Sequence, residues 1–376
     1  MKFSLVLFSI ALILVCNSFA QTGEAGENPF TIDLKVPVTP VKNQYRSSTC
    51  WSFAVLAVLE TELINKGKDT LDLSEMYIVR KAYSEKSEVY VRMHGEIKFT
   101  GGGALNDPID IISKYGIVPD KVYDGLQIGE KNHKHSEMDE VLKGYVEKII
   151  LNENGKLSPV WHNGFEKILD TYLGRMPETF TYKGKTYTPQ TFLNYLEINT
   201  EDYVLLSSFT HHPFYAKFIL EVPDNWSWGA AYNLPLDELT EVIDYSLNKN
   251  YTVAIACDIT ENGFDHKAGT AMLTQADWEE LGIDTDKDNK IITQEIRQIA
   301  FDNYQTTDDH GVQIYGIAHD NNGTKFYVSK NSWGTEIHGF EGHLYISEHY
   351  LRYKTLSLLV NKNGIPKNIL EKLKMD

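Results

Sequence analysis

The sequence predicts an α+β fold in which helices come first and strands last. Helical patterns dominate the chain before Tyr251, and four apolar runs that predict strands follow it: YTVAIACDI, HGVQIYGIAHD, KFYVSKNSW and GHLYISEHYL. Segregated helices and strands are typical of separate lobes, whereas alternating ones would indicate a parallel sheet. We therefore expect a helical lobe followed by a β lobe.

The first 20 residues have the pattern of a secretory signal peptide. Lys2 precedes an apolar run, and small residues at 18–20 fit a signal-peptidase site. The run is too short to span a membrane, and no later run reaches that length. We expect an exported protein, periplasmic or extracellular. Residues 21–36 are polar and glycine-rich and are predicted to be a flexible leader to a folded domain at 37–376.

The helices can be placed from their apolar periodicity. Residues 51–66 repeat apolar side chains at helical spacing and stop at Gly67. Ser74 caps a second predicted helix, and the glycine turn at 101–103 leads into a third at 105–114. Later helical patterns are SEMDEVLKGYVEKIIL and LPLDELTEVIDYSLNKN.

Composition limits the partners. The formal charge is −16, and an acidic surface argues against nucleic acid or anionic lipid as ligands. The chain is long enough for one large domain or two lobes, and it contains no repeat.

Two cysteines remain after the signal peptide, which contains Cys16, is removed. Cys257 lies in an apolar strand, where cysteine usually serves as a small hydrophobic residue. Cys50 lies at or just before the start of the first helix, where free N–H groups and the helix dipole should lower the thiol pKa. A disulfide between the two is one interpretation, and a nucleophilic Cys50 is the other.

A cysteine nucleophile requires a proton acceptor and a group that orients it. His310 begins a predicted strand, and 21 residues later Asn331 offers an amide oxygen to an imidazole N–H. Trp333 could shield that hydrogen bond from water. Gln44 and the N–H of Cys50 could both donate to an oxyanion. Each residue taken alone also has an ordinary structural explanation.

Taken together, NQYRSSTCWSFA, DDHG and KNSWG resemble the papain-like cysteine peptidases, and longer stretches are similar to the bleomycin hydrolase and aminopeptidase C branch. The resemblance covers most of the chain. It implies a two-lobed fold with a cleft between a helical lobe and an antiparallel β-barrel-like lobe, and a helical insertion at about 125–250. It implies no cofactor.

The resemblance also implies roles for individual residues. Cys50 would be the nucleophile, His310 the general base and acid, Asn331 its orienting partner, Gln44 an oxyanion donor, and Trp333 the cover of the Asn–His bond. Gly101, Gly102 and Gly103 resemble the wall that binds substrate backbone, although a plain loop is an equal interpretation. Ser48 stands in the loop where these enzymes have glycine.

Members of this branch form hexamers and place their own C-terminus in the cleft, which restricts them to aminopeptidase activity. The tail NKNGIPKNILEKLKMD does not resemble theirs, so an endopeptidase remains an alternative. Two further alternatives are an inactive protein that binds peptides or calcium, and hydrolysis of a non-peptide amide.

An acidic loop provides a second motif. Asp284, Asp286, Asp288 and Glu295 have the spacing of an EF-hand calcium loop, with Asn289 in the position of the usual glycine. The alternative is a solvated acidic turn.

Overall fold

Most helical residues of the described chain lie before Tyr251, as predicted, but six strands also lie before it and four helices lie after it. The computed structural model describes residues 28–283, 291–336 and 339–375. The helices are α1 (Cys50–Asn65), α2 (Glu75–Arg92), α3 (Asp107–Tyr115), α4 (Ser136–Ile150), α5 (Trp161–Leu173), α6 (Pro189–Leu196), α7 (Leu236–Asn248), α8 (Gln275–Glu280), α9 (Gln294–Asp302), α10 (Glu348–Lys354) and α11 (Lys367–Leu373). Within these ranges, no helix has the length and apolar character needed to cross a bilayer.

The strands of the described chain form one large sheet and one small hairpin. They are β1 (Phe30–Lys35), β2 (Phe180–Tyr182), β3 (Lys185–Tyr187), β4 (Tyr203–Ser207), β5 (Lys217–Ile219), β6 (Ala230–Asn233), β7 (Val253–Cys257), β8 (Phe264–Asp265), β9 (Thr270–Ala271), β10 (His310–Asp320), β11 (Lys325–Lys330), β12 (His343–Ser347) and β13 (Thr355–Asn361). The sheet order is β5-β6-β4-β13-β7-β10-β11-β12-β9-β8, and β1 also pairs with β10.

The sheet is mixed, which the sequence did not predict. Most neighbours are antiparallel, including β7–β10 and β10–β11. The pairs β4–β6 and β9–β12 are parallel, because in each case the chain makes a long excursion before it returns. The α+β class is confirmed.

Helix α1 occupies the centre of the helical lobe. Every residue from 51 to 63 is buried, because the helix is apolar around nearly its whole circumference. Helices α2 to α5 pack around it or against one another to complete this core. The predicted cap of α2 is confirmed, since the Ser74 hydroxyl accepts a hydrogen bond from the Tyr77 N–H at 2.9 Å.

The central strands are buried between two cores. In β7, Ala254 and Ala256 face the core that contains α1, whereas Val253, Ile255 and Cys257 face a second core. Helices α7, α10 and α11 contribute to that second core. The small alanines let α1 lie close to the sheet, and the branched residues fill the wider space on the other face.

Two segments differ from their predicted structure. Residues 30–35, assigned from sequence to the flexible leader, form β1, because Phe30 is buried and stacks on Tyr345 with ring centroids 4.0 Å apart. The predicted strand GHLYISEHYL ends at Ser347, whose hydroxyl caps α10. In both cases distant or capping contacts outweigh local composition.

The region at about 125–250, predicted as a helical insertion, contains α4 to α7 and also strands. Of these strands, β4, β5 and β6 belong to the main sheet. Arg80 of α2 holds α5 in place through Glu166 at 2.7 Å and Asp170 at 3.0 Å. The predicted signal peptide, residues 1–20, lies outside the described residues.

Gln313 of β10 joins the helical lobe to the sheet. Its buried side-chain nitrogen lies 2.9 Å from the Ala57 carbonyl oxygen, 2.8 Å from the Thr61 hydroxyl and 2.9 Å from the Thr252 hydroxyl. These oxygens belong to α1 and to the residue that precedes β7. One side chain therefore fixes the helix against two strands.

We expect Gln313→Met to lower the free energy of unfolding by about 1–3 kcal/mol, because it removes buried hydrogen bonds while keeping a similar volume. Urea denaturation followed by circular dichroism measures this. The control is Gln190→Met on the exposed face of α6, which should change stability by less than about 0.5 kcal/mol. Equal stability of the two variants would contradict the role of Gln313.

Candidate active site

One cleft of about 530 Å³ collects most of the residues that the sequence singled out. Its lining includes Gln44, Cys50, Gly102, Gly103, His310 and Trp333. Helix α1 supplies the cysteine, and β10 supplies the histidine. The structure thus brings together side chains that lie more than half the chain apart in sequence.

Cys50 is the first residue of α1, as predicted. The backbone N–H groups of Gly311 and Trp51 lie where they favour a negative charge on its sulfur. A side chain on Gly311 would place its Cβ only 3.2 Å from the Cys50 carbonyl oxygen, so glycine lets β10 and the start of α1 approach closely beside the histidine. Both Cys50 and Cys257 are free thiols, and the disulfide interpretation is therefore wrong.

His310 is buried and hydrogen-bonded to Asn331. The distance from His310 Nε2 to Asn331 Oδ1 is 2.7 Å. The same oxygen accepts from the Ser332 N–H at 2.8 Å, which identifies it as the amide oxygen and places a proton on His310 Nε2. The neutral ring then has its lone pair on Nδ1. Trp333 lies 4.6 Å from the imidazole, centroid to centroid.

Gln44 is held with its amide nitrogen available. Its Oε1 accepts a hydrogen bond from the Ser332 hydroxyl at 2.6 Å, and its backbone N–H donates to the Ser332 carbonyl at 2.7 Å. Because the oxygen is engaged, the two N–H donors remain for a ligand in the cleft. The backbone N–H of Cys50, at the start of α1, has no partner within the described chain.

Gly102 and Gly103 form one wall of the site, and close packing explains all three glycines. A Cβ on Gly101 would lie 2.6 Å from the Ser47 carbonyl, and one on Gly103 would lie 2.8 Å from the Trp51 ring. A Cβ on Gly102 would collide with the Asp224 carboxylate. Gly101 itself lies behind the cleft surface, where its carbonyl accepts from the Trp51 indole N–H at 2.9 Å.

Ser48 adopts a backbone conformation that glycine reaches more easily, which explains why the resembling enzymes have glycine in this loop. Its φ is 57°, in the left-handed region. A residue with a Cβ costs about 1 kcal/mol or more there. The loop therefore keeps its shape with serine, at a cost that glycine would avoid.

Burial dominates the ionisation of the reacting pair. It raises the pKa of the Cys50 thiol to about 12, and the carboxylates of Asp308 and Asp224 add to this. It lowers the pKa of His310 to about 4, against the opposing effect of Asn331. We expected a lowered thiol pKa from the helix start, and this was wrong, because desolvation outweighs the helix start and the backbone donors.

In the described ranges, two groups of side chains have potential ligand atoms close enough together to hold a metal ion. In the first, Gln298 donates to His211 Nδ1 at 3.0 Å, so the His211 proton is on Nε2, which faces Glu221 at 3.2 Å. The amide orientation is fixed because Gln298 Oε1 accepts from the Thr210 N–H at 2.6 Å. A protonated nitrogen cannot ligate a metal, so this is a hydrogen-bonded cluster.

The second group surrounds an ammonium instead of a metal. Lys42 Nζ lies 2.5 Å from Asp72 and 2.6 Å from Glu75. For the predicted calcium loop, Asp284, Asp286 and Asp288 lie outside the described residues. Glu295 is exposed in the first turn of α9, and calcium binding stays a prediction.

The C-terminal segment packs away from the cleft. Ile369 and Leu373 of α11 are buried in the second core, and Lys372 pairs with Glu238 at 2.6 Å. Described residues after Trp333 do not line the cleft. The placement implied by the family resemblance is therefore not found up to Met375.

Sequence reasoning missed several residues of the site. Ser332 orients Gln44, and Asp224 and Asp308 line the cleft beside Cys50. Ser332 and Asp308 lie within the quoted motifs KNSWG and DDHG, and that position was the available signal. Asp224 carried no signal, because a segment remote in sequence brings it to the glycine wall.

The family model described as the Peptidase C1-like family matches residues 10–376. Aminopeptidase G of Lactobacillus delbrueckii subsp. lactis is 22% identical, with 93% of this chain and 87% of the relative covered. Bleomycin hydrolase of Mus musculus is 24% identical, with 90% and 83% covered. Aminopeptidase C of Lactococcus lactis subsp. cremoris is 24% identical, with 92% and 86% covered.

Structural similarity extends over the same length. The crystal structure of PepW from Lactobacillus rhamnosis HN001 superposes with a TM-score of 0.73 at 19% identity. The match covers 92% of this chain and 84% of that one. At this identity the likeness establishes the shared fold.

The buried pair should react over a wide pH range. His310 is neutral above about pH 4 and Cys50 keeps its proton up to about pH 12, so the pair holds one proton between these values. Alkylation of Cys50 by iodoacetamide should therefore lose rate only as pH falls towards 4, below the ordinary histidine value of 6.5. Rates measured from about pH 3 to pH 9 test this.

The matched variant is His310→Ala, in which no imidazole accepts the thiol proton, so alkylation at neutral pH should slow. A wild-type profile that rises only through the ordinary thiol value of 9.0 would show that the thiol titrates without help from His310.

Proposed function

Because the chain belongs to the Peptidase C1-like family, we propose that it is a cysteine aminopeptidase that releases residues from the amino end of peptides. The observation that carries the proposal is the 2.7 Å bond between His310 and Asn331 in the wall of the cleft that holds Cys50. Relatives named as aminopeptidases support cleavage from the amino end of the peptide.

In the first half of the reaction, the Cys50 sulfur attacks the carbonyl carbon of the scissile bond. The thiol proton passes to His310 Nδ1, the nitrogen left free by the hydrogen bond to Asn331. The imidazolium that forms is stabilised by the amide oxygen of Asn331. It then gives its proton to the leaving amine as the C–N bond breaks.

The negative charge on the former carbonyl oxygen is stabilised by two donors. One is the Cys50 N–H at the start of α1, and the other is the Gln44 side-chain amide. The Ser332 hydroxyl keeps the amide of Gln44 from rotating. Both donors are positioned before the substrate arrives, so little reorganisation accompanies the reaction.

The second half of the reaction releases the acyl group. His310, neutral again, accepts a proton from a water molecule that attacks the thioester carbonyl. The bond to the Cys50 sulfur breaks, and the thiol recovers its proton from the imidazolium. The N-terminal residue leaves as a free amino acid.

The glycine wall binds the substrate backbone. The N–H and C=O of Gly103 line the cleft and have no hydrogen-bond partner within the described chain. They offer one donor and one acceptor to an extended peptide. Trp333, on the His310 side, covers the Asn331–His310 bond and borders the cleft.

We expect Cys50→Ala to abolish release of amino acids from a peptide with a free amino terminus, because the acyl-enzyme cannot form. Gln44→Ala should lower kcat by about 10²–10³-fold, the usual effect of losing one oxyanion donor. Mass spectrometry of the timed digest identifies the products. Cys257→Ala, at the buried cysteine of β7, is the control and should retain activity.

Other reaction products would contradict the proposal and indicate a different function. Internal cuts in the peptide would indicate an endopeptidase. Peptide binding without hydrolysis by the wild type would indicate an inactive binding protein, and hydrolysis confined to non-peptide amides would indicate a different substrate class.

The sequence supports two further proposals. The apolar segment at 3–15 supports export to the periplasm or extracellular space, and N-terminal sequencing of protein recovered from those fractions should begin near residue 21. The family resemblance supports a homo-oligomer, a hexamer in the resembling branch, and light scattering of the purified protein gives its mass.

A further inference from the structure

Three carboxylates line the cleft, and they differ in whether another group already engages them. The side chain of Asp309 accepts hydrogen bonds from the Ile259 N–H at 3.3 Å and the Thr307 hydroxyl at 3.1 Å. Asp224 pairs with Lys98 at 2.9 Å, and its side chain is 16% exposed. The carboxylate of Asp309 is thus engaged by its own loop and by the segment after β7, and that of Asp224 by Lys98.

Asp308 is different, because its carboxylate has no hydrogen-bond or ion-pair partner in the described chain. It lies two residues before His310 and lines the same cleft. Burial raises its pKa to about 7, and Asp224 is the charged neighbour that raises it most. A desolvated carboxylate beside a second carboxylate is costly unless a cation joins them.

The chemistry of an aminopeptidase places such a cation at this position. The α-nitrogen of the N-terminal residue is only about 2.5 Å from the scissile carbonyl carbon, because one Cα separates them. A group that binds this ammonium must therefore lie close to Cys50. Asp308 and Asp224 both act on the Cys50 thiol through space, ahead of other carboxylates.

The surroundings of Asp224 fit the same ligand. Its carboxylate lies against Gly102, where a Cβ would collide with it. A peptide backbone that runs along the wall at Gly103 therefore passes beside Asp224. Lys98 pairs directly with Asp224 and acts on Asp308 only through space, which leaves Asp308 with the freer carboxylate for a cation.

We propose that Asp308, assisted by Asp224, is the anionic subsite that binds the α-ammonium group of the substrate and thereby restricts cleavage to the first peptide bond. The inference rests on the proposed function and deepens it, since it names the residues that recognise the amino terminus. Both are specificity-determining residues that take no part in bond breaking.

The test uses alanyl-7-amido-4-methylcoumarin with a free amino group and the same compound N-acetylated. We expect Asp308→Asn to lower kcat/KM for the free amine about 10- to 100-fold, mainly through KM, since a charged hydrogen bond is lost. Asp224→Asn should act in the same direction but less. Hydrolysis of the acetylated compound should not fall, because that compound has no ammonium group to lose.

The control is Asp33→Asn, which removes an exposed carboxylate of β1 outside the cleft and should leave both rates unchanged. Alkylation of Cys50 by iodoacetamide checks that each variant retains a folded site. A wild type that prefers the free amine, together with variants that keep the preference, would overturn the subsite alone.

Two further outcomes would also overturn the subsite. Equal losses on both substrates would assign Asp308 a structural role. The lysyl and arginyl amides of the same coumarin are assayed in parallel, and losses confined to them would mean that the acids bind a side chain. A wild type that hydrolyses the acetylated compound as well as the free amine would overturn the proposed function and the subsite together.

Discussion

The packing of α1 on β10 and β7 is the constraint on which the reactive site depends. Gly311 brings the backbone of β10 against Cys50. Gln313, two residues further along the same strand, donates a hydrogen bond to the carbonyl of Ala57, about two turns into the helix. The separation of sulfur and imidazole is therefore set by a helix lying on a sheet. Rigid elements hold such geometry more closely than loops do. The loop residues Gln44 and Asn331 are in turn tied to each other through Ser332.

Desolvation of the reacting groups shapes how charge can develop in the site. The resting pair is neutral because the charged forms of Cys50 and His310 are both poorly solvated. The carboxylates of Asp224 and Asp308 oppose the thiolate further. An ammonium group bound between them would offset that opposition, so a substrate with a free amino terminus would ease the formation of the nucleophile that attacks it. Substrate selection and activation would then share one electrostatic cause.

Local patterns were enough to predict much of the fold. The period of α1 and the cap at Ser74 are short-range features, and both were predicted correctly. The motif order predicted which of twelve histidines would lie in the cleft with Cys50. Features that depend on distant contacts were not accessible: β1 forms because Phe30 meets Tyr345, and the raised thiol pKa follows from burial that no spacing reveals. Asp224 reaches the glycine wall for the same reason.

Because β7 is buried on both faces, the register of this strand decides whether the reactive site can form. Its alanines face α1 and its branched residues face the second core. A slip of one residue would turn Val253 and Ile255 towards α1 and reverse every side chain of the strand. The helix would be pushed outward, and Cys50 would move away from His310. A molecule with the wrong register would thus lack a working pair of cysteine and histidine, although its composition would be unchanged.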